Sequence, residues 1–519
     1  MEQGRGLIGK MIVAGGVLYL LLPNLLFQAG WVQWYWAIPI MVGLVIAYIQ
    51  LCRNTPSTPW AWQKSDAVVL PLLVLGAAFC TASLGLHGHV LQQWDFTVRN
   101  PIYETLVRCD WPLYNAEGGY FVYYMAYWLP PALVSKLCTG FISHTSVLWW
   151  WNFAGVLLLF LALWLRWRKR VLLIMLLVMM LGSLNDLRRF YGFFKWAWEQ
   201  CPALECLEPW VSPLADWTNY FFSGLWNQIA CCTPHSALPV CIVIALICSR
   251  RLNALYIPFV SSLTVLWSPL AAVALLPWVT CITRSHLKTP ADVKTLLSQE
   301  SLWAGVALLG MVGAYFSCAQ SGMLHWVTSD APYYNDWMQT SFVRGFKALF
   351  IVLLMLIPLC LFLAGRYRNT AAFRVCALLI IVLPFVWVGY ENNELLFKGS
   401  AVIFMLLVLL YASALVHAKG WRRTLLVAFC LLSAVEFCWD VGFRILHKYT
   451  TDESIMQAHR QDALQGHLNH PDHFVYKNFF GRSPHASVLY PQSGQSAHSL
   501  LKPFATGKTA AEINPERLK

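Results

Sequence analysis

Residues 89–124, HVLQQWDFTVRNPIYETLVRCDWPLYNAEGGYFVYY, set the carboxylates Asp95, Glu104 and Asp110 among Arg99, Arg108 and a run of aromatic rings. A carboxylate held near a hydroxyl can take its proton as a general base. An arginine offers a planar fork that matches the oxygens of a phosphate. Together they equip a site for transfer to a hydroxyl with an anionic leaving group. Asp95, Glu104 and Asp110 are therefore the candidate catalytic residues, and Arg99 is a candidate substrate ligand. The alternative is a solvated loop whose acids cap helices.

Further charged residues recur at a distance. Asp186, Arg188 and Arg189 follow one apolar run, and His235 follows Pro234 at the start of another. Arg344 ends a segment in which His325, Asp330 and Asp336 lie among Trp326, Tyr333, Tyr334 and Trp337. The short turn YENNELLFKGS supplies Glu391, Asn393 and Lys398. These are candidate substrate-binding residues: cations for a phosphate, rings and amides for a sugar. Snorkelling headgroup anchors and membrane-interface belts use the same residue types. Glu436, Asp440 and Arg444 are spaced to share one helical face, where they form either an intramembrane site or a structural pair.

The elements that must position these residues are membrane helices. With 58% hydrophobic and 12% charged residues over 519 positions, the composition describes an all-α polytopic membrane protein. Apolar runs predict about thirteen spans, at 11–29, 34–52, 67–87, 147–166, 171–184, 236–249, 254–267, 269–283, 302–320, 348–365, 371–389, 401–417 and 424–444. The first reads as a retained span and not as a signal peptide, because a second follows almost at once. Residues 120–139 are apolar enough to cross, yet Tyr, Trp and Pro130-Pro131 suit an interfacial or re-entrant helix. If that segment does not cross, every basic cluster from Arg53/Lys64 to Lys419–Arg423 falls on the cytoplasmic side. Residues 1–445 then form a multi-pass domain with outer loops 88–146, 185–235 and 321–347, and 446–519 form a polar tail on the outer side.

Several classes are excluded. The formal net charge of +12 follows from basic cytoplasmic loops and gives no reason to expect nucleic acid. No phosphate-cradling GxxxxGK[ST] loop is present, which argues against a nucleotide-driven pump. Most cysteines lie within apolar runs as small hydrophobes, and a Cys201–Cys206 bridge is compatible with the spacing. His459, His467, His470 and His473 leave metal binding by the tail open, but no metal ligand is assigned.

The arrangement resembles the GT-C superfamily of integral membrane glycosyltransferases, which use polyprenyl-phosphate-linked sugars. Three features carry the resemblance: a long first outer loop with an acid soon after a span (Asp95), the segment YYMAYWLPPALVSKL, and a following span that ends in LRWRKR. The sequence also resembles uncharacterised bacterial multi-pass membrane proteins, through Trp94-Asp95, Asn100, Trp111-Pro112, Pro234-His235 and Asn392–Ser400. It departs from the superfamily pattern in having two extra spans ahead of the loop, where the superfamily usually has one, and no adjacent pair of acids. The resemblance implies an inverting transferase of the bacterial inner membrane, with Asp95 as base, a polyprenyl-phosphate sugar as donor and a lipid or glycan as acceptor. Mg or Mn is compatible with that reaction but not required by it. A transporter or flippase for lipid-linked saccharide, and an O-antigen-type polymerase or ligase, are the competing expectations.

Overall fold

The computed structural model describes residues 7–56, 62–93, 95–114, 120–138, 140–182, 224–318, 346, 349–350, 352–353, 356, 360–386, 388, 393–450 and 480–481. These are largely helical. In chain order the helices are α1 (Leu7–Trp31), α2 (Trp34–Asn54), α3 (Asp66–Ala82), α4 (Phe96–Arg108), α5 (Leu129–Leu137), α6 (His144–Trp167), α7 (Val171–Met180) and α8 (Pro234–Cys248). They continue with α9 (Ile257–Ser262), α10 (Pro269–His286), α11 (Pro290–Leu297), α12 (Glu300–Ser317), α13 (Ala371–Val382), α14 (Glu394–His417) and α15 (Trp421–Thr450). A two-residue antiparallel pairing joins β1 (Tyr120–Phe121) to β2 (Phe480–Gly481), so part of the tail returns to the first outer loop.

Among the described residues four helical runs are long and apolar enough to cross a membrane, 7–31, 34–54, 144–180 and 394–417, and the bent pair α11–α12 makes a fifth. Exposed Trp34, Trp36, Val42, Val45, Ile46 and Ile49 give α2 the outer face that lipid, and not water, would cover. The thirteen expected spans differ from this in identifiable places. Residues 254–267 form a 3₁₀ turn and the six-residue α9, not a continuous crossing. α3, α8 and the 371–385 run are apolar but shorter than eighteen residues. The 144–180 run also reverses direction at Arg168, whose φ is 50°. Asn152 of α6 bonds Thr81 at the far end of α3, whereas Trp164 and Arg168 reach Asp66 at its start. Gly76, midway along α3, lies against Met175, so α7 runs back beside α6.

The basic clusters gather at one end of the bundle. Asn54 bonds the Tyr256 hydroxyl at 2.6 Å, Gln50 bonds Glu300 at 2.6 Å, and Arg168 pairs with Asp66 at 2.6 Å. Gln228 just before α8 bonds Ser400 early in α14 at 2.7 Å, so the two helices run in parallel toward Arg250 and His417. Tyr367, between Arg366 and Arg368, bonds Ser413 near the end of α14, which adds that pair to the same end.

The opposite end carries α4, α5 and the segments between them. α5 has nine residues, under half of what a crossing needs. Tyr103 of α4 bonds Ser135 on α5 and the His144 carbonyl, which ties the short helix to both neighbours. Arg444, buried in α15, donates to the carbonyls of Ser83 and Leu91. That clasp fixes the connector from α3 to Asp95.

Candidate functional site

Asp95 stands at the N-terminal edge of α4, yet its side chain makes no capping hydrogen bond. It pairs instead with Arg99 one turn later, at 3.1 Å, and is 39% exposed while the arginine is 9% exposed. Arg99 also donates to the Cys232 carbonyl at the end of a π-helical turn, Asn227–Cys232. Burial works against the guanidinium charge, but Asp95 and the flanking tyrosines outweigh it and raise its pKa. The turn itself is held by Gln93 bonding Asn227 and by Gln228 bonding Ser400. First outer loop, π turn and α14 therefore meet around Arg99.

Lys398, 4% exposed on the first turns of α14, pairs with Glu394 at 2.9 Å and donates to the Tyr124 hydroxyl at 2.9 Å. The Tyr124 ring stacks on His235 with centroids 5.1 Å apart and planes at 15°, and Trp128 flanks the same imidazole at 5.2 Å. Tyr123 stacks on Tyr124 at 4.0 Å. Burial raises the pKa of both tyrosines, so the phenols stay protonated. His235 is fully buried, and neither ring nitrogen has a hydrogen-bond partner among the described residues. The Thr233 and Ser236 hydroxyls beside it are also buried without partners there.

The site is thus two acid–cation pairs, Asp95–Arg99 and Glu394–Lys398, at the rim of a buried histidine. Each pair spans one helical turn, and each cation is the more buried member. The formal charges cancel, so an arriving anion finds cations that already have intramolecular partners and must compete for them.

The other candidate acids lie elsewhere. Glu104 is nine residues beyond Asp95, which puts it on the opposite face of α4. It binds Arg108 through two nitrogens at 2.5 and 2.6 Å and lies 3.6 Å from His144. Asp110 follows α4 and acts electrostatically on Lys136. Asn393 is 1% exposed and caps α14, accepting from the Leu396 N–H and donating to the Leu383 carbonyl. Asp186, Arg188, Arg189, Arg344 and Glu391 lie outside the described residues, as do Cys201, Cys206 and the histidines of the tail. Residues 436 and 440 are helical, but their side chains lie outside the description.

Tyr123, Tyr124, Trp128 and Glu394 were not among the candidate ligands, although all four stand in the segments that the sequence singles out. The signal was the run FVYYMAYW itself: aromatics of an interfacial segment double as the wall of the site. Among the described residues no group of three or more His, Cys, Asp or Glu side chains gathers as a metal site. Fold and site define a helical protein with several helices long and apolar enough to cross a membrane and a charged, half-buried centre at one end. No family model, curated protein or solved structure matches the chain.

Proposed function

We propose that the protein is a glycosyltransferase of the bacterial cell membrane, moving a sugar from a polyprenyl-phosphate donor to a lipid or polysaccharide acceptor on the outer face. The observation that carries this is the meeting of Asp95–Arg99 with Lys398–Glu394 at the end of the bundle opposite the basic clusters. The positive-inside tendency puts the basic end in the cytoplasm and this site outside. A lipid-linked donor diffusing in the outer leaflet then reaches it from the side.

In the reaction, Asp95 takes the proton of the acceptor hydroxyl as that oxygen attacks the anomeric carbon. The bond from that carbon to the phosphate oxygen breaks, and its electron pair stays on the phosphate. The displacement occurs in one step, so the anomeric configuration inverts. Arg99 and Lys398 are the fixed cations that stabilise the growing phosphate charge. Protonation of Asp95 weakens its hold on Arg99 at the moment the leaving group needs that cation.

The test is transfer by the purified protein in liposomes with a panel of polyprenyl-phosphate sugars, reading release of polyprenyl phosphate. Turnover that Asp95→Asn abolishes, with folding intact, supports the reading. No turnover with any donor, together with full complementation of a deletion strain by Asp95→Asn, overturns it and favours transport of a lipid-linked saccharide.

A further inference from the structure

Among the described residues His235 has no partner for either ring nitrogen in a fully buried position, beside two hydroxyls in the same condition. Polar atoms in that state are rare in folded proteins, because burial strips their water and returns nothing. The α8 N-terminus beneath them adds the positive end of a helix. Two rings cover the imidazole: Trp128, itself buried, at 5.2 Å, and Tyr124. Tyr124 is only partly buried and stacks face to face on the imidazole, and its hydroxyl is held by Lys398.

We propose that Tyr124 is a gate over His235, and that a phosphate group drawn to Arg99 and Lys398 opens it. The ammonium of Lys398 bonds a neutral phenol and a carboxylate. A phosphate oxygen is a stronger acceptor than a phenol, since both partners of the bond are then charged. Once Lys398 turns to the phosphate, Tyr124 loses that polar anchor and swings off the imidazole while it keeps its stacking on Tyr123. The uncovered imidazole then donates to a phosphate oxygen and completes a three-sided cradle with Arg99 and Lys398. The gate rests on the transferase reading only for the identity of the anion.

Diethyl pyrocarbonate labelling of His235, read residue by residue by mass spectrometry on the full chain in phosphatidylcholine liposomes, tests the gate without requiring turnover. Wild-type His235 is expected to be protected, and farnesyl phosphate to raise its labelling rate where farnesol does not. A parallel rise with inorganic phosphate means that the phosphate alone opens the gate; a rise with farnesyl phosphate alone means that the lipid must deliver it. Tyr124→Phe, which keeps the ring and removes the hydroxyl's bonds to Lys398 and Tyr123, is expected to label roughly tenfold faster without ligand, the factor equivalent to about 1.4 kcal/mol.

The gate is overturned if farnesyl phosphate has no more effect than farnesol, or if folded Tyr124→Phe and Tyr124→Ala both leave His235 protected. Opening without sugar transfer from any donor would leave the gate standing and remove the transferase reading. Transfer with His235 protected in every state would do the reverse.

Discussion

Lys398 donates a 2.9 Å hydrogen bond to Tyr124 across 274 residues of sequence, and in doing so joins the first outer loop to the first turns of α14. The same ammonium lies 4.5 Å from the centre of the Tyr124 ring. A lysine so placed tethers the aromatic segment, and Tyr315 holds it as well, sharing its one hydroxyl proton between the Phe121 and Tyr123 carbonyls at 3.0 and 3.1 Å. The loop that carries the site is pinned at several points, as the proposed transferase, which would orient a donor and an acceptor, requires.

The three acids of the first loop should separate cleanly on mutation. Asp95→Asn keeps an acceptor for Arg99 but cannot take a proton, and transfer should fall roughly 10²- to 10⁴-fold, the usual contribution of a general base. Glu104→Gln, on the opposite face of α4 and tied to Arg108, should change activity by no more than about threefold, as expected of a substitution away from the site. Release of polyprenyl phosphate measures both, and equal losses in the two variants would refute the assignment of Asp95.

At the other end of the bundle, Asp66 is fully buried and bonds Arg168 at 2.6 Å and the Trp164 indole at 3.3 Å. Removing one member of a buried pair strands the other charge and costs about 3–5 kcal/mol. Arg168→Met should therefore lower the thermal midpoint in detergent markedly. Adding Asp66→Asn to it should recover part of the loss, because no unpaired charge remains. If the double variant is less stable than Arg168→Met by the full effect of Asp66→Asn alone, the two residues are not coupled.

Much of this was legible in the sequence, and the limits have physical causes. Asp95, His235 and Lys398 stood out because a charged or titratable residue beside an apolar run is costly without a role. Their meeting was not legible, since local spacing says nothing about contacts between residues more than a hundred positions apart. Asn393 was read as a ligand because polar residues crowd that short turn, yet an Asn just ahead of a helix is also the common N-cap, and the structure uses it so. The break in residues 254–267 is hidden because the run is apolar apart from the small hydroxyls Ser261, Ser262 and Thr264, which leaves no clear periodicity from which to read a turn. Asp66 was overlooked because it opens an apolar run, where a lone acid looks like a boundary.

Helix contacts around α6 give a test of packing. A Cβ on Gly155 would run into the Tyr19 phenol and the Leu238 side chain, where α1, α6 and α8 converge. Gly155→Val should destabilise the protein by about 1–3 kcal/mol through overpacking. Gly310→Ala on α12, where a Cβ meets nothing within 4 Å, should be neutral or gain about 0.5–1 kcal/mol from reduced chain entropy. Thermal unfolding of the two variants side by side checks the register of α6, and similar losses in both would mean that the contact is misplaced.

Lys136 provides a pH test at the end of the bundle that carries α4 and α5. Burial lowers its pKa to about 8, with Asp110 pulling the other way, while its ammonium lies over the Trp111 ring at 4.6 Å and donates to the Cys109 carbonyl. An unfolded lysine titrates near 10.4, so between about pH 8 and 10.4 the unfolded chain binds more protons than the folded one. Stability must then rise with pH across that window through this group, and its contribution is flat below pH 8, where both states are charged. Lys136→Met removes the cost of burying the charge and should flatten that part of the profile. The informative quantity is the difference between wild type and variant in thermal midpoint at pH 7.5 and pH 10, because other lysines and tyrosines titrate equally in both. A variant whose midpoint moves with pH in parallel with wild type would show that the ammonium is not desolvated, and that the α4–α5 junction is open to water.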